Sequence, residues 1–301
     1  MWWFWLLGWL LTMVTVIGNG VVICLIICIR RLHNAANWSV LSLAFADLFV
    51  GLTFFPLLLA MKIDSLNDPE HENLGPFFLV SRTFLYFSAT NLFVMIVDRY
   101  IAIVHPLRYL SILSPKVIKI SITVAWILPL ALFTLPRGLY VRNKYLLVLR
   151  VCTFQVVPAI VFVFVACRIF CILRKISERR SKIFAQLRFN HAPKYSSTVL
   201  RSSKESKAAA KMTMAIVFLF IILYVVENYK CFCFVFELCE TTASLDLAID
   251  LLFLINSASN PIVYAFLKRD IRTAIQSFLA RRKVHVQNIS TGTERTSSMP
   301  S

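Results

Sequence analysis

The chain has 301 residues, 58% of them hydrophobic and 16% charged, against roughly 45–50% and about 25% in soluble domains. Its mean hydropathy is +0.73, and the apolar excess gathers in runs of about 20 residues or more, long enough to cross a bilayer. The net charge of +17 would suit nucleic acid, but its uneven placement along the chain excludes that partner and makes the excess topological.

In chain order, the apolar runs predict seven spans at about 2–29, 37–61, 77–99, 117–136, 146–171, 212–232 and 247–267. Only helices and closed barrels satisfy their backbones in lipid, so the expected fold is an all-α membrane protein, a bundle of seven transmembrane helices. The first run lacks a basic leader and is about 28 residues long, where the apolar core of a signal peptide has roughly 7–15. Asn19 and Arg30-Arg31 read instead as the interior and inner end of a membrane helix. The chain begins almost inside the membrane, so the expected ligand needs no long outer tail, or the sequence lacks its natural start.

The second span carries Asp47 at mid-depth, and the third carries Arg82 in its outer half and ends in Asp98-Arg99-Tyr100. Trp126 in the fourth reads as packing, and Pro158 marks the fifth as a candidate kink. A Lys/Arg-rich inner loop at about 172–211 precedes the sixth span, which holds Glu227 and Asn228. The seventh runs from Asp246 and Asp250 to Asn260-Pro261-Ile262-Val263-Tyr264. Beyond it, helical spacing predicts a short amphipathic eighth helix with Phe266, Leu267, Ile271 and Phe278 toward lipid. The expected domains are a seven-helix unit over 1–283 and a Ser/Thr-rich, disordered tail over 284–301.

With the amino terminus outside, 25 of the 32 Lys and Arg fall on the inner side, which the positive-inside rule favours. The expectation is a multi-pass plasma-membrane protein with an extracellular N-terminus, a cytoplasmic C-terminus and anionic lipid as a neighbour. Cys24, Cys28, Cys167 and Cys171 sit where thiols stay reduced, while Cys152, Cys231, Cys233 and Cys239 lie toward the outer face and could pair. The sequons at Asn37 and Asn288 fall on the inner side and should carry no glycan.

A lone carboxylate at the depth of Asp47 costs about 2.5–3.5 kcal/mol, so it needs partners. Asn19, Ser88, Asn91, Asn256, Ser257 and Asn260 sit at comparable depth and could help it hold a sodium ion or a water cluster; the alternative is a polar patch that ties helices together. Arg99 is either a snorkelling anchor or a switch restrained by Asp98. Pro261 frees a carbonyl one turn back and allows a bend, and Tyr264 gives the seventh helix a polar tip that could swing inward. On the outer half, Arg82 either lines a cavity with Glu227, Asn228, Asp246 and Asp250, or locks helices together by pairing with Glu227 or Asp250.

These motifs, with Gly18-Asn19, Leu43-Ala44-Phe45-Ala46-Asp47, Trp126, Pro158 and Phe220 in the same order, resemble the rhodopsin-like (class A) G-protein-coupled receptors over about residues 10–283. Leu32-His33-Asn34-Ala35-Ala36-Asn37-Trp38 is similar to the first inner loop of amine-type members. The resemblance implies an extracellular ligand, an outward-moving sixth helix and a heterotrimeric G protein as partner. Asp98, Arg99, Tyr100, Asn260, Pro261 and Tyr264 then serve coupling and switching, and Asp47, Ser88, Asn256 and Ser257 form a sodium site. Arrestin and a receptor kinase follow as partners, with Ser290, Thr291, Thr293, Thr296, Ser297 and Ser298 as phosphate acceptors. The ligand-binding candidates are Ser81, Arg82, Leu85, Tyr224, Glu227, Asn228, Asp246 and Asp250.

The chain also departs from that family. Ser81 stands where amine receptors have an aspartate, and Leu74 where a disulfide cysteine is usual. Tyr224-Val225-Val226 replaces an aromatic-proline step, Ala166 a tyrosine, and Ser206 an acid. These changes leave a non-signalling decoy receptor as the alternative. An ion-coupled transporter using Asp47 is disfavoured by the lack of internal repeats, and a light receptor by the lack of lysine in 247–267. Metal, phosphate-loop and nucleophile-elbow spacings are absent, so no enzyme and no cofactor beyond sodium is expected.

Overall fold

Four helix starts are written into the sequence as caps. Asn34, Ser114, Asn143 and Thr242 each stand one residue ahead of a helix. Their side-chain oxygens accept the N–H of Asn37, Val117, Tyr145 and Leu245 at 2.8–3.4 Å, satisfying donors that a helix N-terminus leaves open.

The computed structural model describes residues 2–67, 75–141, 143–190, 213–223, 225–226, 229, 242–267 and 270–277. Helix α1 spans Trp2–Cys28, α2 Ala35–Asn67 and α3 Gly75–Val104. Helix α4 joins Pro115–Pro129 through a π-turn at Leu130–Thr134 to Leu135–Gly138. Helix α5 likewise joins Lys144–Val151 through a π-turn at Cys152–Val156 to Val157–Asn190. Helix α6 is described over Thr213–Leu223, α7 spans Ala243–Leu267, and a short α8 covers 270–277. Six of these helices are long and apolar enough to cross a membrane, and α6 is apolar over its shorter described length. The fold is the expected helical bundle, each helix following its neighbour back across the same apolar layer.

Several predicted boundaries move. Helix α3 continues five residues past Arg99 to Val104, so the Asp98-Arg99-Tyr100 motif lies inside the last turns of a helix, not at its end. Helix α5 runs on to Asn190 and takes the first half of the predicted 172–211 loop. In both cases the helix leaves the apolar layer without a breaker to stop it. In α8, Ile271 and Ala274 are buried against the bundle core, so Ile271 faces protein and not lipid as expected.

The π-turns answer to prolines. Leu135 and Val157, each immediately before a proline, donate to carbonyls five residues back, Leu130 and Cys152. Pro136 and Pro158 lack the N–H for an ordinary turn, and their rings crowd the carbonyl four back. A widened turn moves that carbonyl aside, so Pro158 gives a π-turn in place of a simple kink.

Close packing between α1, α2 and α7 depends on small residues. A Cβ built on Gly18 would lie 2.6 Å from the Pro261 ring, and one on Gly51 would lie 2.9 Å from Val16. Gly8 receives the Phe55 ring in the same way. One apolar cluster includes Leu43, Leu92, Phe162, Phe220 and Tyr264, and a second, around Phe4, Phe54 and Leu254, lies toward the N-terminal ends of α1 and α3. Leu6, Leu10, Ile17, Ile160 and Phe164 point outward, which is costly in water and neutral in lipid.

Asn37 is buried and its amide donates to the Leu32 carbonyl at 2.8 Å, so its sequon is closed to glycan. Cys24, Cys28, Cys152, Cys167 and Cys171 are free thiols among the described residues. Cys231, Cys233, Cys239, Leu74, Ser206, the Asn288 sequon and the tail lie outside the described residues.

Candidate functional site

The C-terminal end of α3 carries a closed ion pair. Arg99 Nη2 lies 3.2 Å from Asp98 Oδ2, with the arginine side chain 13% and the aspartate 3% exposed. The other carboxylate oxygen accepts the Tyr109 hydroxyl at 2.6 Å. Tyr109 comes from the single helical turn Tyr109–Ile112, which follows His105-Pro106-Leu107. Burial first, and the Asp98 carboxylate second, push the Tyr109 phenol far above its ordinary pKa, so it remains a neutral donor. Sequence reading missed Tyr109; a phenol one turn past a proline carries no local pattern that points back to Asp98. Tyr100 turns away from this pair and packs its ring against Phe164 of α5 at 6.0 Å.

At mid-depth the expected polar cluster divides into two. Asp47 is fully buried. Its Oδ1 accepts Ser88 at 2.6 Å and its Oδ2 accepts the Asn260 amide at 2.7 Å. Asn91 instead belongs to a second network. Its Oδ1 accepts Ser42 at 2.6 Å, and Ser42 accepts the Trp126 indole N–H at 2.9 Å. Trp126 thus ties α2, α3 and α4 together by a hydrogen bond, which reading it as packing alone did not foresee. Asn19 joins α1 to α7 by donating to the carbonyls of Thr15 at 2.9 Å and Ser257 at 3.4 Å.

On α7, Pro261 fits against Gly18, and Asn260 and Tyr264 stand one turn apart on the same face. Tyr264 is fully buried, so the predicted polar tip is folded into the core. Its hydroxyl and the Asn260 Oδ1 have no hydrogen-bond partner among the described residues.

The half of the bundle toward the N-terminal end of α3 holds a cavity with about 80 Å3 of free volume. Arg82 stands at one end, and Ser88, Asn256 and Ser257 form the other, beside Asp47. Leu85 contributes to its wall, together with Tyr86, Phe154 and Phe220, which sequence reading did not select. Their signal is three-dimensional: Phe154 sits in the α5 π-turn and packs on Tyr86 with ring centres 4.9 Å apart. Arg82 Nη2 meets Asp250 Oδ1 at 3.2 Å, one of the two pairings considered, and the guanidinium lies on the cavity wall. Ser81 is fully buried outside the lining, and Asp246 is half-buried outside it. Tyr224, Glu227 and Asn228 lie outside the described residues.

Comparison with known proteins agrees with this architecture. The family model described as 7 transmembrane receptor (rhodopsin family) matches residues 18–144 and 134–264. The chain is similar to the histamine H2 receptor of Rattus norvegicus, 28% identical over 290 residues covering 88% of this chain and 76% of that receptor. It is also similar to the histamine H2 receptor of Cavia porcellus, 29% identical over 92% of this chain and 79% of that receptor. Trace amine-associated receptor 8c of Mus musculus is 27% identical over 88% of this chain and 82% of that receptor.

Proposed function

Because the chain belongs to the rhodopsin family of seven-transmembrane receptors, we propose that it passes an extracellular ligand signal to a cytosolic heterotrimeric G protein. One observation carries the reading. Ser88 lines the cavity and also donates its hydroxyl to Asp47. A ligand that moves that hydroxyl must change the bonding of Asp47, and Asp47 also holds Asn260 of α7. One turn further along α7, the buried Tyr264 moves with Asn260 when that helix shifts. Allosteric coupling is typically about 1–3 kcal/mol, the scale of one or two hydrogen bonds to a charged group.

At the other end of α3, Asp98 and Tyr109 restrain Arg99 in the resting state. Release of that pair presents the guanidinium to the G protein. The topology that fits is an extracellular N-terminus and cytoplasmic C-terminus in the plasma membrane, with anionic lipid along the basic inner side. Arrestin and a receptor kinase would act on the Ser/Thr-rich tail.

The donor set around Asp47 fits a sodium ion. One carboxylate, the hydroxyls of Ser88 and Ser257, and the Asn256 side chain on the same cavity wall offer hard oxygen ligands. When bound, the ion would supply a positive charge beside Asp47; the protein groups themselves fix the distance between α2, α3 and α7.

The test is guanine-nucleotide exchange on purified heterotrimers by the protein in lipid nanodiscs. Exchange above that of empty nanodiscs, with at least one G-protein subtype, is expected. A folded protein that accelerates none of the subtypes would leave the non-signalling receptor as the reading.

A further inference from the structure

Cysteine is among the side chains most often hidden in protein interiors. Here every described cysteine is exposed, and none is in a disulfide. Two on α1 and two on α5 stand one helical turn apart, Cys24 with Cys28 and Cys167 with Cys171. Each pair therefore shares one helix face. That face points away from the bundle, as do the adjoining Ile27 and Phe170.

Both pairs stand at the end of an apolar span. That of α1 closes at Cys28 itself, and that of α5 closes at Lys175, one turn past Cys171. Exposed cations follow at once, Arg30 and Arg31 after the first pair and Arg174 and Lys175 after the second. Arg168, just before Cys171, can extend its long stem to the same level. Cys28 and Cys171 therefore sit where acyl chains meet head groups. Cys24 and Cys167 lie one turn deeper, about 6 Å at a rise of 1.5 Å per residue. Helices α1, α3 and α5 cross the layer in the same direction, so both pairs lie at the face that carries Asp98 and Arg99.

We infer that Cys28 and Cys171 are S-acylation sites, each joined as a thioester to a long-chain fatty acid donated by an acyl-coenzyme A. The cysteine sulfur attacks the acyl carbonyl carbon, and the bond from that carbon to the coenzyme sulfur breaks. The thiol proton passes to the departing coenzyme sulfur, so nothing is oxidised or reduced. The flanking cations favour the phosphates of the donor during transfer and those of lipid head groups afterwards. The new chain then lies in the apolar layer beside Ile27 or Phe170. At Cys24 and Cys167 the oxyanion of the transfer step would form inside the apolar layer, with no water to stabilise it. The inference rests on the proposed topology, which puts this face of the bundle in the cytosol, where acyl-coenzyme A is found.

The test is acyl exchange on the full chain taken from the surface of cultured cells. Free thiols are blocked, thioesters are cleaved with hydroxylamine, and each released thiol is tagged with a maleimide polymer that retards the protein on a gel. Two hydroxylamine-dependent steps are expected for the wild type, one for Cys28→Ala and one for Cys171→Ala. The double variant should show none, and Cys24→Ala and Cys167→Ala should keep both. The replaced side chains face outward, so all the variants should reach the surface. No hydroxylamine-dependent step in the wild type, or steps that survive in the double variant, would overturn the assignment. An antibody to an epitope added at the amino terminus reads the topology separately. Binding to intact cells without acylation overturns the assignment and leaves the receptor reading standing. Binding only after permeabilisation removes the topology on which both rest.

Discussion

Ser88 donates its hydroxyl to Asp47 at 2.6 Å while the same side chain forms the inner wall of the cavity. The contact between ligand space and the buried acid is thus a single hydrogen bond from α3 to α2. Replacing Ser88 by alanine leaves one oxygen of a fully buried carboxylate without that donor, a loss of about 1–3 kcal/mol. Thermal unfolding of the purified variant should show a lower Tm, and Ser88→Thr, which keeps the hydroxyl, should recover most of it.

Asp47→Asn tests the ion. Asparagine keeps the volume but removes the charge and turns one acceptor into a donor facing the Asn260 amide. Wild-type protein should gain thermal stability as sodium chloride replaces choline chloride at constant ionic strength. The Asn variant should show no difference between the two salts. A sodium-dependent Tm that survives the substitution would place the ion elsewhere.

Tyr109→Phe removes the hydroxyl that holds Asp98 at 2.6 Å and changes little else. A hydrogen bond to a charged group contributes about 1.5–3 kcal/mol, so the restrained form should lose part of its advantage. Ligand-independent nucleotide exchange should rise several-fold in membranes matched for receptor number. Unchanged basal exchange would show that Tyr109 does not restrain the pair.

Gly18→Ala tests the packing of α1 on α7. The added methyl would lie 2.6 Å from the Pro261 ring, which cannot swing aside as a flexible chain could. Overpacking of this kind costs about 1–3 kcal/mol. A lower Tm is expected, whereas Gly20→Ala, whose added carbon meets nothing within 4 Å, should leave it unchanged.

Much of the bundle is legible in the sequence because lipid is an unforgiving solvent for charge. Asp47, Arg99 and Asn260 stand out in apolar runs, and the structure gives each a partner. Depth could be read from position, but azimuth could not. Asn91 lies one turn from Ser88, at nearly the same depth, and still joins Ser42 and Trp126 and not Asp47. Helix ends were hidden for a different reason: hydropathy falls where α3 and α5 leave the apolar layer, yet nothing in Ile101–Val104 or the Arg-rich stretch after Cys171 breaks a helix. Tyr109 was illegible because its role depends on a turn that brings it back to Asp98.

The central claim is that Arg99 is the group handed to the G protein when the inner pair opens. Basal nucleotide exchange by Tyr109→Phe, compared with Tyr109→Phe carrying Arg99→Ala at equal surface expression, measures it most directly. Raised exchange is expected in the single variant and exchange at the level of empty membranes in the double variant. Equal exchange in the two would contradict it.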